Sequence, residues 1–278
     1  MRKLFYWKLK SRELKLGERT ALLGVLNVTP DSFSDGGKYL DPDRAFARAL
    51  ELEEQGADVI DIGAESTKPD SIRITAAEEL RRLIPVLKRL HGKLTIPISV
   101  DTYKAEVAER ALDHGAEIIN DPTGLTFEPA LARVVSNHNA GLILNHMRGR
   151  PESWAKLPPL PDVMGTIVRD LEATVNRARH TGIDRSRIVV DPGIGFGKRK
   201  EQNSLILHRL GELAALELPI LVGPSRKSFL AHPTERQTLF ATAAAAAASI
   251  LGGAYLLRVH DVAEMRAVAD VVDEILRQ

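Results

Sequence analysis

PDRAFARALELEEQGADVIDIG, residues 42–63, passes from a helix to a strand within one short stretch. Its first part is amphipathic and helix-forming, and Gly56 is the residue best able to take the left-handed conformation at a helix end. The remainder, ADVIDIG, is a short Val- and Ile-rich run of the kind buried on both faces of a parallel sheet. The same alternation recurs along the chain. Strand-like runs are ALLGVLNV (21–28), ADVIDIG (57–63), PISVDT (97–102), AEIIND (116–121), GLILNH (141–146), RIVVDPG (187–193), PILVGPS (219–225) and AYLLRVHD (254–261). Helix-forming segments such as TAAEELRRLIPVLKRLHG (75–92), KAEVAERALDHG (104–115) and DVMGTIVRDLEATVNRARHTG (162–182) lie between them. Eight strands in one even rhythm predict a closed (β/α)8 TIM barrel, with an open doubly wound sheet as the alternative. Alternation in LFYWKLK and RELKL makes residues 1–18 an N-terminal β-hairpin before a single barrel domain spanning the 278-residue chain. Pro85 predicts a kink in the second helical segment. The alanine-rich helix from about Thr242 to Leu251 suits close packing, on the barrel or against another subunit.

Composition narrows the functional classes. The net charge is +1 and there are no cysteines, which excludes disulfides and thiolate metal sites. No run of like charge suggests nucleic acid or a membrane surface, and no apolar stretch is long enough to span a bilayer. The basic N-terminus has no apolar stretch suited to a signal peptide, and a cytoplasmic location is the expectation.

Each apolar run ends in polar residues: Asn27, Asp61, Asp101, Asn120 with Asp121, Asn145 with His146, Asp191, then Ser225, Arg226 and Lys227, then Arg258, His260 and Asp261. In a (β/α)8 barrel these strand ends converge on one rim, where active sites are built. One Asp or Asn alone is as well explained by capping of the following helix. Eight such ends, with Lys, Arg and His beside acids, are not. Asp61, Asp101, Asn120 and Asp191 suit a flat, nitrogen-rich heterocycle bearing N–H donors. Ser225, Arg226, Lys227, Arg258 and His260 fall after the last two strands, where barrels often hold phosphate. DPGIGFGK (191–198) has neither the Walker spacing nor the dinucleotide fingerprint, and reads as a tight loop that brings Phe196 to a ligand. His146 is read as a supporting residue of the rim in preference to a catalytic one. His91, His114 and His180 sit near helix ends, solvated or facing the helix dipole.

These motifs together resemble the dihydropteroate synthase family of folate biosynthesis. The resemblance rests on GVLNVTPDSFSDGG (24–37), DIGAESTKP (61–69), SVDT (99–102), INDPTGL (119–125), HMRGRP (146–151), DPGIGFGK (191–198), GPSRKSFL (223–230) and RVHD (258–261). It implies a homodimeric barrel that joins 6-hydroxymethyl-7,8-dihydropterin diphosphate to 4-aminobenzoate with Mg²⁺. By the same resemblance, the pterin is bound by Asp61, Asp101, Asn120, Asn145, Asp191 and Lys227. The diphosphate falls to Asn27, Thr67, Lys68, Arg258 and His260, with Asn27 also a Mg²⁺ ligand. Phe33, Pro69, Phe196, Lys227 and Ser228 border the aminobenzoate. Asp101, Asp191, Lys227 and Asp35 are the expected catalytic residues, Phe33 and Asp35 lying on a first loop that closes over the reacting centre. Two positions depart from the family pattern. Lys68 replaces the usual arginine and loses bidentate geometry. Asn145 replaces a methionine, and its amide is free to bond the ring or the next turn. Three rival readings are a pterin-dependent methyltransferase, a non-catalytic pterin-binding paralogue and an unrelated phosphate-binding barrel. The first does not need Lys227, Arg258 and His260, the second is at odds with intact loop motifs, and the third leaves the acids unexplained.

Overall fold

The computed structural model describes residues 2–29, 41–66 and 73–278. It opens with an antiparallel hairpin of β1 (Phe5–Lys8) and β2 (Glu13–Leu16), in which Phe5 faces Leu16. Eight parallel strands come next: β3 (Ala21–Asn27), β4 (Val59–Gly63), β5 (Ile98–Asp101), β6 (Ile118–Asp121), β7 (Gly141–Asn145), β8 (Ile188–Asp191), β9 (Leu221–Val222) and β10 (Leu256–Val259). Interleaved with them are α1 (Pro42–Glu54), α2 (Ala76–Leu90), α3 (Ala105–Asp113), α4 (Leu131–Asn137), α5 (Val163–His180), α6 (Lys200–His208), α7 (Glu235–Leu251) and α8 (Val262–Arg277). The strands pair in the order β8-β7-β6-β5-β4-β3-β10-β9. A parallel bridge from Val190 to Ile220 joins the two ends of that series into a barrel. The closed alternative of the two predicted architectures is therefore the one adopted, with the hairpin where it was expected.

The helix-to-strand stretch explains itself locally. Asp41 caps α1 by accepting from the Asp43 N–H at 2.9 Å, and Pro42 fills the first turn, where its missing N–H is no loss. Gly56 ends the helix at φ 96°, a backbone conformation that other residues rarely adopt. The chain then enters β4. Helix α2 runs through Pro85 without being divided, its orphan N-terminal N–H groups served by Thr75.

Each strand is apolar on both faces for different reasons. Outward residues such as Leu22, Ile60, Ile62, Val100, Ile119, Leu142 and Val190 merge with the apolar faces of the helices. Inward residues Leu23, Val59, Ile118, Ile143, Val189, Leu221 and Leu256 fill the lower barrel together with Trp7, Leu9 and Leu16 of the hairpin. The hairpin is thus a plug. Trp7 is fully buried and donates its indole N–H to the Arg187 carbonyl at 2.9 Å. A Cβ at Gly141 would lie 2.7 Å from Leu9, so β7 starts on glycine because the plug approaches that closely. With the lower interior filled, the open space for chemistry lies at the other end. Helix α7 buries Thr242, Ala245, Ala246, Ser249 and Ile250, so the alanine-rich segment does pack inward. Its other side leaves Phe240 and Leu251 exposed.

Candidate active site

Inward residues alternate along a strand, so the residues two positions beyond the apolar layer form the next layer up. Val59 is followed by Asp61, Ile118 by Asn120, Ile143 by Asn145, Val189 by Asp191 and Leu256 by Arg258. Register brings these together: Asp101 lies opposite both Gly63 and Asn120, and Asn145 opposite Asp191. The rim is one mouth lined by several strands.

The acids and bases of that mouth are not separated into two halves, as their order along the chain suggested. Arg258 donates from Nε to Asp61 Oδ2 at 2.6 Å and from Nη2 to Asp101 Oδ2 at 2.8 Å. Asn120 Nδ2 donates to the same Asp61 oxygen at 3.2 Å. The reason is electrostatic, because a carboxylate as buried as Asp61 is stable only when a cation and donors surround it. Asp61 Oδ1 and Ser99 Oγ remain buried without partners in the floor of the mouth.

Burial sets the protonation of the site. It pushes the Asp101 carboxyl up to about 7, against the opposing pull of Arg258 and with help from the Asp61 charge. It likewise pushes Asp191 up to about 6, although the Gly193 N–H donates to Asp191 Oδ1 at 2.7 Å. Lys227 is brought down to about 8 by burial and by the Arg258 charge, while Asp191 and Asp101 oppose the change. Lys227 and Arg258 thus both favour the ionised form of the two acids.

Beside them, Ser225 and His260 make a second cluster. The Ser225 hydroxyl accepts from the His260 backbone N–H at 3.2 Å and lies 2.9 Å from His260 Nδ1. Burial, then Arg258 and Arg226, bring His260 down to about 3, so its imidazole is neutral at physiological pH. When Ser225 donates its proton to Nδ1, the imidazole N–H is left on Nε2, and His260 is then a neutral donor, not a cation. Arg226 is turned aside into an ion pair with Asp261, with an Nε–Oδ2 distance of 3.0 Å. Lys227 Nζ lies 4.3 Å from the centre of the Phe196 ring, and Ser228 is exposed on the following 3-10 turn.

Three supporting groups were invisible to sequence pattern. Lys198 Nζ donates to the carbonyls of His146, Pro192 and Gly193 at 2.6, 2.9 and 2.7 Å, bracing the 191–198 loop against β7. A Cβ at Gly193 would lie 2.0 Å from the His146 carbonyl oxygen, which leaves no alternative to glycine there. Lys104 joins Glu65 to Glu79 through ion pairs, tying the end of β4 to α2 beside Asp101. Trp154 packs edge-on to Phe196, ring centres 5.6 Å apart. A lysine among glycines and a tryptophan in a polar stretch are the only hints the sequence offers of the first and last.

Asn145 donates from Nδ2 to the Pro122 carbonyl at 2.6 Å, so its amide N–H serves the next turn. His146 contacts Asp170 through Nε2 at 3.1 Å, the supporting arrangement expected, and burial with the Lys198 charge brings it down to about 4. His114 and His180 each place Nδ1 on a carbonyl of the preceding helical turn. Phe33, Asp35, Thr67, Lys68 and Pro69 lie outside the described residues.

For a metal the described residues offer no cluster of three or more His, Cys, Asp or Glu. Asn27, at the end of β3, pairs with Gly63. A Cβ on Gly63 would sit 3.5 Å from Asn27 Oδ1 and 3.8 Å from Asp101 Oδ2, so both oxygens border the same gap. Such a sparse oxygen set fits Mg²⁺, which takes few protein ligands and completes its shell with phosphate and water.

No helix among the described residues is long and apolar enough to cross a membrane. The profile of the family described as pterin binding enzyme matches residues 23–260. A dihydropteroate synthase of Synechocystis is 43% identical over 265 residues, covering 94% of this chain and 92% of its own. The solved dihydropteroate synthase of Clostridium difficile, determined in the presence of pteroic acid, is 42% identical with a TM-score of 0.87, over 95% of this chain and 99% of its own. That of Xanthomonas albilineans, determined with 4-aminobenzoic acid, is 37% identical with a TM-score of 0.91, over 99% and 100%. On this match of family profile, sequence and fold along nearly its whole length, the chain belongs to the dihydropteroate synthase family of pterin binding enzymes.

Proposed function

We infer that the rim is a two-ended site in which 6-hydroxymethyl-7,8-dihydropterin diphosphate and 4-aminobenzoate condense to 7,8-dihydropteroate and diphosphate. The reaction is that of the family. The division of labour among residues is our reading. The observation that carries it is the meeting of Arg258 with Asp61 and Asp101, and of Asp61 with Asn120, in one mouth. Asp101, Asn120 and Asp191 accept from the ring's N–H donors, Lys227 donates to its acceptors, and Asp61 supports Asn120 and Arg258 from below. Charged Arg258 and the Nε2–H of neutral His260 face the diphosphate. Phe196, Lys227 and Ser228 border the aryl amine. Phe33, Asp35, Thr67, Lys68 and Pro69 take their roles from the family resemblance, and Asn145 acts through the turn at Pro122.

Chemistry is dictated by where charge develops. The bond between the pterin methylene and the diphosphate oxygen breaks with its electron pair leaving on oxygen. Arg258 and His260 stabilise that oxygen, and Asp101 and Asp191 stabilise the positive charge left on the ring. The amine nitrogen, nucleophilic without prior deprotonation, then forms the carbon–nitrogen bond and loses its proton. Mg²⁺, held by Asn27 and the diphosphate, would supply further charge neutralisation on the leaving group. Diphosphate recognition is what favours this reading over pterin-dependent methyl transfer, since the latter has no use for Arg258 and His260. We also propose a homodimer, on the exposed apolar side chains Phe240 and Leu251 of α7 and Val271 and Ile275 of α8, two helices packed together.

The test is to incubate the protein with the pterin diphosphate, with and without 4-aminobenzoate and Mg²⁺. Dihydropteroate and diphosphate in equal amounts, requiring both additions, are expected. Tight pterin binding without turnover would contradict the assignment.

A further inference from the structure

Phe196 is flanked by Gly195 and Gly197, both at positive φ, 82° and 71°. The backbone is held by the Phe196 N–H donating to the Gly193 carbonyl at 3.0 Å. Neighbouring side chains do not orient the ring, because the neighbours have none. Its direction is left to what packs against it, and among the described residues Lys227 and Trp154 do so. Lys227 reaches the ring with Nζ 4.3 Å from its centre. Trp154 meets it edge-on, at 5.6 Å and 76° between planes.

The two glycines sit against close neighbours: a Cβ at Gly195 would lie 3.2 Å from the Lys227 Cδ, and one at Gly197 2.5 Å from the Arg148 carbonyl oxygen and 3.0 Å from the Trp154 Cδ1. Trp154 also carries a cost. Its Nε1–H is buried and has no partner among the described residues. Filling space alone would be done better by leucine or methionine, which bury no donor. The ring edge is what only an aromatic residue supplies, through its attraction to a neighbouring π face.

We propose that Trp154 is a positioning residue for the second substrate: it fixes the Phe196 ring, so that a flat aryl amine finds a preformed wall. The inference rests on the reading of Phe196 and Lys227 as the border of the amine subsite. Trp154 acts through the Phe196 ring that it contacts.

Steady-state kinetics of W154A, W154F and W154L, varying each substrate in turn, test this, with circular dichroism and pterin titration calorimetry confirming a folded, pterin-competent protein. Loss of one aromatic pair should raise the KM for 4-aminobenzoate by about five- to tenfold in W154A and W154L, with kcat and the KM for the pterin diphosphate little changed. W154F, which keeps the ring edge and removes the unpaired N–H, should restore the wild-type KM. An unchanged KM for 4-aminobenzoate in W154A beside normal wild-type turnover would overturn this role alone, as would W154L matching W154F. A wild-type protein that binds no pterin and forms no pteroate would overturn the functional reading and this inference together.

Discussion

Asp101→Asn lowers turnover by about two to three orders of magnitude, the usual loss when one preorganised charge at a developing transition state is removed. The same substitution leaves folding stability unchanged or higher. The two effects differ in sign because burial raises the Asp101 pKa from its usual 3.8 to about 7. A carboxyl with a raised pKa in the folded state contributes its full stability below the unfolded value, near 3.8, and loses it as pH rises through about 7. At pH 8 the folded chain therefore carries an ionised, poorly solvated Asp101, and the neutral amide removes that burden. Activity runs the other way. If ionised Asp101 and Asp191 are needed, kcat/KM for the pterin diphosphate rises as they lose protons, at about 7 and about 6, and declines again as Lys227 loses its proton near 8. D101N should remove one group from the acid limb of that profile. Thermal unfolding and a pH–rate profile of the two proteins decide the matter. Near-normal turnover in D101N would show that the charge has no part in the reaction.

The second large effect is expected at Arg258, where stability and activity fall together. Its guanidinium bonds Asp61 and Asp101 in the floor of the mouth, and burial, though it disfavours charge, is outweighed by these two carboxylates. Arg258→Met leaves both acids without their cation, and breaking a buried pair of this kind costs about 3–5 kcal/mol. Turnover falls as well, because no other charged donor faces the diphosphate among the roles proposed for described residues. Adding D101N to R258M should recover part of the stability and none of the activity. Denaturant melts at pH 8 and pH 5 separate the contributions, since Asp101 is largely neutral at the lower pH and the loss should be smaller there. An R258M protein as stable as wild type at pH 8 would mean that the pair is not what holds these acids.

The barrel was readable because most helix-to-strand handovers, clearest in residues 42–63, are written in local pattern as an amphipathic stretch, a glycine and an apolar run, although Asn139 and Glu217 take the place of glycine before β7 and β9. Strand β9 was the least faithful of these, since the run PILVGPS yields only Leu221 and Val222 as strand, its proline and glycine ending the ladder. Convergence of the polar residues was also legible, because inward positions recur every second residue: Asp61, Asp191 and Arg258 stand two beyond an inward apolar one, and Asp101 two beyond Ser99. What pattern could not supply was direction and charge state. Arg258 belongs by position to the basic cluster, yet its side chain crosses to Asp61, 197 residues away in sequence. His260 counted as a base, and burial beside Arg258 makes it neutral. Lys198 ends the DPGIGFGK segment and Trp154 lies in no motif, yet neither role was legible, because their partners are backbone carbonyls and a ring edge that only folding brings near.

A ligand-bound structure tests the central claim most directly, that one mouth holds a bicyclic ring at one side and an anionic tail at the other. Crystals grown with the pterin diphosphate and Mg²⁺ should show the ring against Asp101, Asn120, Asp191 and Lys227, with the diphosphate on Arg258 and His260 and the metal at Asn27. A ring bound away from Asp101 and Asp191, or a diphosphate out of reach of Arg258, would contradict the account.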